Sequence, residues 1–413
     1  VPHFYENALP VDENCPKTVR FSLTMARALH SYGLPTHRLE STMADIHKKL
    51  GINGEFFAAP SSIIASFGRE ENSRTYIMKP MGDDLNLEKL EGVLELALDV
   101  ATGRTEASDA QVQLEQLIAA PDRYGMYMTI MSLVVSSCGA ARLFGGGWRE
   151  VVVSGAVGLF LALVLLIVSR LEGFARIIPP LAAVGAMTLA QLALVPLGPY
   201  SVYISTVTGL IVLLPGLSLT VGVTELATGH PISGSARVAN AVVAFLMIGF
   251  GIALGGQVAN FLPDGAVPGS PLALPDWSLW PALAVVPLSF VVLFKAHPKD
   301  THWVFLACIL AFQSARWGST WFGPELGTFL ASFILAAAAN TFARISHRPA
   351  SIMMVPGVML LVPGSVGYKS LSSMLSQNTL SGVESAFTMI LLAVALVSGI
   401  LFAGGMVPNR SNN

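Results

Sequence analysis

The sequence predicts a multi-pass α-helical membrane protein: ten transmembrane helices as two five-helix inverted repeats, behind a small N-terminal cytosolic α+β domain. Three observations carry this expectation. The 413-residue chain is 53% hydrophobic and only 12% charged, a balance foreign to ordinary soluble domains. The charge is also segregated. Residues 1–125 hold 12 Lys and Arg against 18 Asp and Glu, and the remainder holds 12 against 8, so an acidic head precedes a hydrophobic body. Within that body the chain repeats itself at an offset of 148 residues: Leu213-Leu214-Pro215-Gly216 recurs as Leu361-Val362-Pro363-Gly364. At the same offset Ser233-Gly234 matches Ser381-Gly382, and Gly209, Gly251 and Gly256 match Gly357, Gly399 and Gly404.

The head is expected to span residues 16–122. From Pro16 onward, Val19, Leu23, Ala26 and Leu29 fall on one helical face, ended by Gly33-Leu34-Pro35. Thr36 reads as the N-cap of a second helix with Leu39, Met43, Ile46 and Leu50 as its stripe and Gly51 as its stop. Three short β-rich runs, Glu55–Ala59, Ser62–Phe67 and Thr75–Lys79, read as strands. Leu87 to Thr102 and Ala107 to Ala119 complete the domain as helices. Ser61, Ser62, His37, His47 and Asp45 are the residue types of a hydrolytic triad, but no G-x-S-x-G elbow surrounds either serine. The expectation is that the serines open a strand and the histidines face water.

Ten apolar segments are long enough for about 30 Å of hydrocarbon: 126–144, 148–169, 177–197, 200–222, 235–260, 279–296, 302–318, 322–342, 350–366 and 382–405. They group into membrane repeats at residues 123–262 and 276–406. No signal peptide is expected, since the first long apolar run begins near Met126. With the head in the cytosol, one set of loops carries Arg170, Arg176, Arg237, Lys295, Lys299, Arg344, Arg348 and Arg410. The opposite set carries Arg142, Arg149, Arg316 and Lys369. The longest outer loop has Asp264 and Asp276 without Lys or Arg. The positive-inside rule then places both termini in the cytosol, and Trp148, Trp280, Trp303, Trp317 and Trp321 sit near span ends as interfacial aromatics do.

Five spans per repeat is an odd number, so the second copy enters the bilayer from the opposite side. The two Pro-Gly breaks then approach one another near the midplane, an arrangement that marks a transporter's binding site. A proline inside a helix frees a carbonyl, and in lipid such groups persist only where protein or a wet cavity satisfies them. The half-helix after each break offers N–H groups to a carboxylate, and the freed carbonyls suit an ammonium group or a cation. The candidate substrate residues are Pro215, Gly216, Ser218, Thr220, Asn340, Pro363, Gly364 and Ser365. Glu225 and Glu325 are the candidate proton-coupling acids, because a carboxylate at membrane depth is costly, and Arg237 is the cation beside Glu225. At the repeat offset Glu225 faces Ser373 and Arg237 faces Ser385, so proton chemistry is expected beside the first break. The single Ser and Thr hydroxyls near the breaks also have a plainer use, bonding to their own helix carbonyls.

Cys15, Cys138 and Cys308 form no disulfide framework, and no CxxC or HExxH spacing supports a metal site. No catalytic residues, cofactor, metal or nucleic-acid partner are expected, because the head has no basic patch. The expected partners are a small-molecule substrate, protons and the bilayer; a homo-oligomer stays open.

The residues also resemble a known family. Met25-Ala-Arg-Ala-Leu-His-Ser-Tyr-Gly33, Arg38-Leu-Glu40, Leu50-Gly51 and Ala59-Pro-Ser-Ser-Ile63 look like the head of the threonine/serine exporter family. So does Leu213-Leu-Pro-Gly216 followed by Ser233-Gly-Ser-Ala-Arg237. Ala339-Asn-Thr-Phe-Ala-Arg344, Pro349 and Val355-Pro-Gly-Val-Met-Leu-Leu-Val-Pro-Gly364 resemble its C-terminal membrane module. The resemblance covers roughly residues 16–405. It implies a ten-helix inner-membrane protein exporting threonine and serine on the proton motive force. The family also includes two-chain relatives linked to dicarboxylate export, so a succinate-like substrate is an alternative. A membrane-anchored hydrolase using the head, and a passive channel or scaffold, are the alternatives of other classes.

Overall fold

In the computed structural model, residues 16–68, 72–80, 85–168, 177–261, 263, 267–375 and 378–407 are described. Cys15, Arg170, Arg176, Asp264 and Arg410, which entered the sequence reading, lie outside them.

The head comprises α1 (Lys17–Ser31), α2 (Thr36–Leu50), β1 (Gly54–Ala59), β2 (Ser62–Phe67), β3 (Arg74–Met78), α3 (Leu87–Thr102) and α4 (Ala107–Ala119). The strands form an antiparallel meander, β1-β2-β3, and Ala59 pairs with Ser62 across the tight Pro60-Ser61 turn. The helices bury the faces their periodicity marks: Leu39, Met43 and Ile46 of α2 and Leu90 and Val93 of α3 are inaccessible to solvent or nearly so. Gly51 ends α2 in the left-handed conformation, as a C-terminal glycine does. One expectation is corrected. Thr36 is the first helical residue, Pro35 holds the cap position, and the Thr36 side chain does not cap its own helix.

The body comprises α5 (Met126–Leu143), α6 (Trp148–Val168), α7 (Ile178–Leu192), α8 (Leu194–Leu197), α9 (Val202–Gly209), α10 (Gly216–Ala227), α11 (Pro231–Gly256), α12 (Leu279–Leu293), α13 (Thr301–Phe322), α14 (Pro324–Ser346), α15 (Ser351–Leu361), α16 (Gly364–Leu375) and α17 (Thr379–Met406). Among the described residues, eight helices are long and apolar enough to cross a membrane. The expected fourth span is not one helix but two short ones, α9 and α10, separated at Leu210–Pro215. The seventh, α13, is long but carries Gln313, Ser314, Arg316, Ser319 and Thr320, which dilute its apolar character. The ninth is also broken, and its second part continues as α16 beyond the expected end.

Side-chain placement in the body is that of a lipid-embedded protein. Val152, Leu159, Leu163 and Ile167 of α6 and Val243, Leu246, Phe250 and Leu254 of α11 are exposed, while Ala182, Ala183, Ala186 and Ala190 of α7 are buried. Large apolar groups outside and small ones between helices fit association in lipid, where close packing rather than apolar burial holds helices together. Gly251 and Gly255 of α11 lie against the Pro180 and Val184 carbonyls of α7, and a methyl at Gly255 would stand 2.6 Å from the latter.

Within the first half, α6 packs on α5, α7 and α9, α7 on α11, and α10 on α11. Within the second half, α13 packs on α12, α14 and α15, α14 on α17, and α16 on α17. Between the halves α5 meets α12, α10 meets α17, and α16 meets α11.

Candidate functional site

The two Pro-Gly breaks touch. A Cβ added at Gly216 would collide with Val362 Cγ1, and one added at Gly364 would lie 3.3 Å from Leu214 Cβ and 3.9 Å from the Gly216 Cα. The collision at Gly216 and the tight fit at Gly364 come from the close passage of one chain segment over the other. Gly216 opens α10 and Gly364 opens α16, each 12 residues long, so two helix N-termini converge on one spot. The first-turn N–H groups of a helix have no partner within it, and they carry partial positive charge. Here Gly216 donates its N–H to the Leu214 carbonyl, and Val366 and Gly367 donate theirs to the Pro363 carbonyl.

The polar side chains around the breaks divide into four sets. Thr220 and Ser205 are buried, and neither hydroxyl has a hydrogen-bond partner. Thr206, Thr208 and Thr224 instead return their hydroxyls to the carbonyls of Val202, Ile204 and Thr220, the plainer use of such residues. Across the junction Tyr203 of α9 donates its hydroxyl to the Ser365 carbonyl of α16 at 3.1 Å, and its ring lies 5.3 Å from that of buried Tyr368. Ser218 points away from this packing and is exposed.

Other candidates lie elsewhere. Asn340 donates its side-chain amide to the Val407 carbonyl at 2.9 Å, which ties α14 to the end of α17. Glu325 is half-buried in the first turn of α14, where a carboxylate complements the helix dipole.

Glu225 and Arg237 form an ion pair at 3.1 Å, with Glu225 fully buried. Gly222 and Gly234 make the pairing local: a Cβ at Gly234 would stand 2.7 Å from the Gly222 carbonyl oxygen, so α10 and α11 approach closely enough to bring the two charges together. Ser233 donates its hydroxyl to Glu225 Oε2 at 2.5 Å. The remaining donors come from the head. Thr36 gives its backbone N–H at 3.2 Å and its hydroxyl at 2.9 Å to Glu225 Oε1, and the same hydroxyl lies 3.1 Å from Ser233 Oγ. Glu225 thus anchors the head to the first half of the body. Around it Glu40 pairs with His230 at 3.5 Å, and the His37 and His230 rings are 5.9 Å apart. Burial, then the charges of Arg38 and His230, push His37 down to about 4 against the opposing pull of Glu225, so it is neutral at pH 7.

A second attachment joins the head to the other half. Leu87 and Glu88 donate their N–H groups to the carbonyls of Phe294 and Lys295, Lys295 pairs with Asp122 at 2.9 Å, and Tyr124 donates to the Ala296 carbonyl. Arg348 bridges Glu91 of α3 and Asp300 of the body, and these two acids raise it above the usual guanidinium range.

Sequence reasoning missed this pair of junctions and two buried acids, Glu150 and Asp300, each only 1% exposed. Glu150 accepts N–H groups from Gly147 and Ser201 at 2.9 and 2.7 Å, joining the start of α6 to the start of α9. Asp300 takes Arg348 at 2.7 Å, joining the start of α13 to the start of α15. At the 148-residue offset Glu150 faces Pro298, two residues before Asp300. An acid near the second helix's start in each half was the available signal.

The expectation that the head's histidines face water is corrected: His37 is half-buried with its Nδ1 enclosed, and His47 is shut off further. It is 3% exposed, because its ring closes the end of α2 over β1 with one nitrogen on the Gly54 carbonyl and the other on Ser22 Oγ. Its partners are not Ser61 or Ser62, and Asp45 is exposed.

The fold defines a multi-pass helical membrane protein with an extramembrane domain bonded to both halves of its body. Threonine/serine exporter family models match residues 20–259 and, under the description "Threonine/Serine exporter, ThrE", residues 281–406. The chain belongs to this family. Its relatives include the "Pheromone-regulated membrane protein 10" of Saccharomyces cerevisiae, 28% identical across 90% of this chain and 48% of that protein. Those of Debaryomyces hansenii and Eremothecium gossypii are 27% and 26% identical, across 89% and 90% of this chain and 37% and 50% of theirs. The chain thus spans about half or less of the length of these relatives. No solved structure matches it.

Proposed function

We propose that the chain is a secondary active transporter that exports threonine and serine from the cytoplasm, driven by the proton gradient. The observation that carries this reading is the contact between Gly216 and the Val362–Gly364 segment, which brings the starts of two helices together; the buried, unpartnered Thr220 hydroxyl, one turn into α10, supports it. A zwitterionic substrate places its carboxylate against the first-turn N–H groups of α10 and α16. Its ammonium group takes the carbonyls released at Pro215 and Pro363, and its hydroxyl meets Thr220. Ser218 and Ser365 contribute backbone groups. Glu225, and secondarily Glu325, are the proposed proton-coupling acids.

The body is read as ten spans in two inverted repeats, residues 123–262 and 276–406, with the head at 16–122 and both termini in the cytosol of an inner or plasma membrane. The pairing of contacts supports it: α10 with α17 mirrors α16 with α11, and α5 meets its counterpart α12. Glu150 and Asp300 add a matching pair of acids, each tied to the start of a broken helix. Such halves rock about a central site to give alternating access.

Purified protein in liposomes is expected to exchange labelled threonine or serine, with the direction biased by a pH gradient. Two converging helix N-termini also favour a substrate with more carboxylates. Succinate exchange without threonine or serine exchange, from folded protein, would overturn the amino-acid reading in favour of dicarboxylates.

A further inference from the structure

The two attachments of the head differ in kind. Toward the second half the attachment is apolar as well as ionic: the head's core, including Phe21, Met25 and Leu90, is continuous with Phe290, Val304 and Cys308 of α12 and α13. Toward the first half the side-chain bonds are polar, centred on Thr36, Glu225 and Ser233. The head's cluster reaches the first half only at its edge, through half-buried Tyr124 and Leu143, and the other apolar clusters around the first half contain no head residue. A continuous apolar core opens only at the cost of exposing its surface. A few hydrogen bonds to a charged group can be exchanged for bonds to water in a working cycle.

We propose that the head is a latch: it travels as one body with α12 and α13, and its α2 N-terminus reversibly locks the α10–α11 pair of the other half through Thr36, Glu225 and Ser233. This rests on the transporter reading above, in which one half moves against the other. While Thr36 sits on Glu225, the second half of the broken helix that begins at Gly216 is tied, through the head, to the opposite repeat. Movement of the halves then requires this contact to part. Parting it also uncovers Glu225, which in the locked state is enclosed by Thr36, Ser233 and Arg237, with His37, Arg38 and His230 around them and Glu40 on His230. Thr36 is in this sense a positioning residue for the transport step.

The full-length protein, with Cys15→Ser, Cys138→Ala and Cys308→Ala, tests this in liposomes. Thr36→Cys with Ser233→Cys replaces hydroxyls 3.1 Å apart, close enough for a disulfide after a small shift. Oxidation is expected to lower threonine or serine counterflow at least tenfold, and a reductant to restore it. Glu88→Cys with Lys295→Cys, joined by a short bis-maleimide, fixes the head to the second half and is expected to leave at least half the flux. Full flux through the oxidised first pair, or loss of flux in the second, overturns the latch. If the reduced protein carries no flux at all, the transport reading fails, and spin labels decide the latch on their own. Labels at Ser41 and Ser235 are expected to give two distance populations, and labels at Ser41 and Lys299 one. A single population for both pairs overturns it.

Discussion

Thr36 donates both its backbone N–H and its hydroxyl to one carboxylate oxygen of Glu225, at 3.2 and 2.9 Å, across 189 residues of sequence. The helix that begins at Thr36 has no side-chain cap of its own. Its cap is supplied by an acid of another domain, which places a negative charge where the helix dipole favours one. The buried charge is matched in turn by Arg237 and Ser233, so three elements from two domains share one carboxylate.

Removing the cation from that group should be more damaging than removing the whole pair. Arg237→Met leaves Glu225 charged, fully buried and without its counter-ion, a change that typically costs about 3–5 kcal/mol. Glu225→Gln added to Arg237→Met removes the stranded charge and should recover part of the loss. Thermal unfolding of the purified protein in detergent checks this: the single variant should melt well below the double. Equal melting temperatures would show that the ion pair is not what holds the junction.

The contact between the breaks predicts a specific rescue. Gly216→Ala drives a methyl into Val362 Cγ1, and overpacking of this kind costs about 1–3 kcal/mol. Val362→Ala removes the colliding methyl and leaves room. Each single variant should lose stability, and the double variant should be more stable than Gly216→Ala alone. Simple additivity of the two losses, read as melting temperatures, would mean that the two breaks do not meet.

How much of this was written in the sequence depends on the range of the interaction. The head's helices and strands follow from local periodicity and stop signals, and their ends move by a residue or so. The Pro-Gly breaks were legible because Pro215 and Pro363 act on their own helices. Glu225 with Arg237 was legible as well, since 12 residues of helix and turn separate them. That Thr36 would face Glu225 instead of its own helix was not, because nothing near Thr36 encodes the docking of one domain on another. Arg348 looked like one of several loop cations until Glu91 and Asp300 were placed around it.

Acid should loosen the same junction. His37 is held down to about 4 by burial, then by Arg38 and His230, against an ordinary value near 6.5 in the unfolded or undocked chain. A depressed histidine favours the folded state while it is neutral. Its contribution is therefore complete above about pH 6.5 and is lost as pH falls toward about 4, where protonation favours whichever state exposes the ring. The melting temperature of the intact protein should fall across that window, and His37→Gln should flatten the dependence. An unchanged slope in His37→Gln would assign the loss to other groups.

The buried and exposed sides of the first break should differ in their effect on transport. Tyr203 hands its hydroxyl to the Ser365 carbonyl and packs its ring near Tyr368, so it couples α9 to α16 across the proposed substrate point. Tyr203→Phe keeps the ring and removes one hydrogen bond worth about 1 kcal/mol, enough for a roughly fivefold change in an equilibrium that the bond biases. Ser218 lies two residues from Gly216 but its side chain is exposed, and its proposed contribution is a backbone N–H that alanine retains. Threonine or serine counterflow should therefore change about fivefold in Tyr203→Phe and less than twofold in Ser218→Ala. The reverse order would place the substrate on the outer face of α10, against hydroxyls that this packing leaves outside, and would remove Tyr203 from the site.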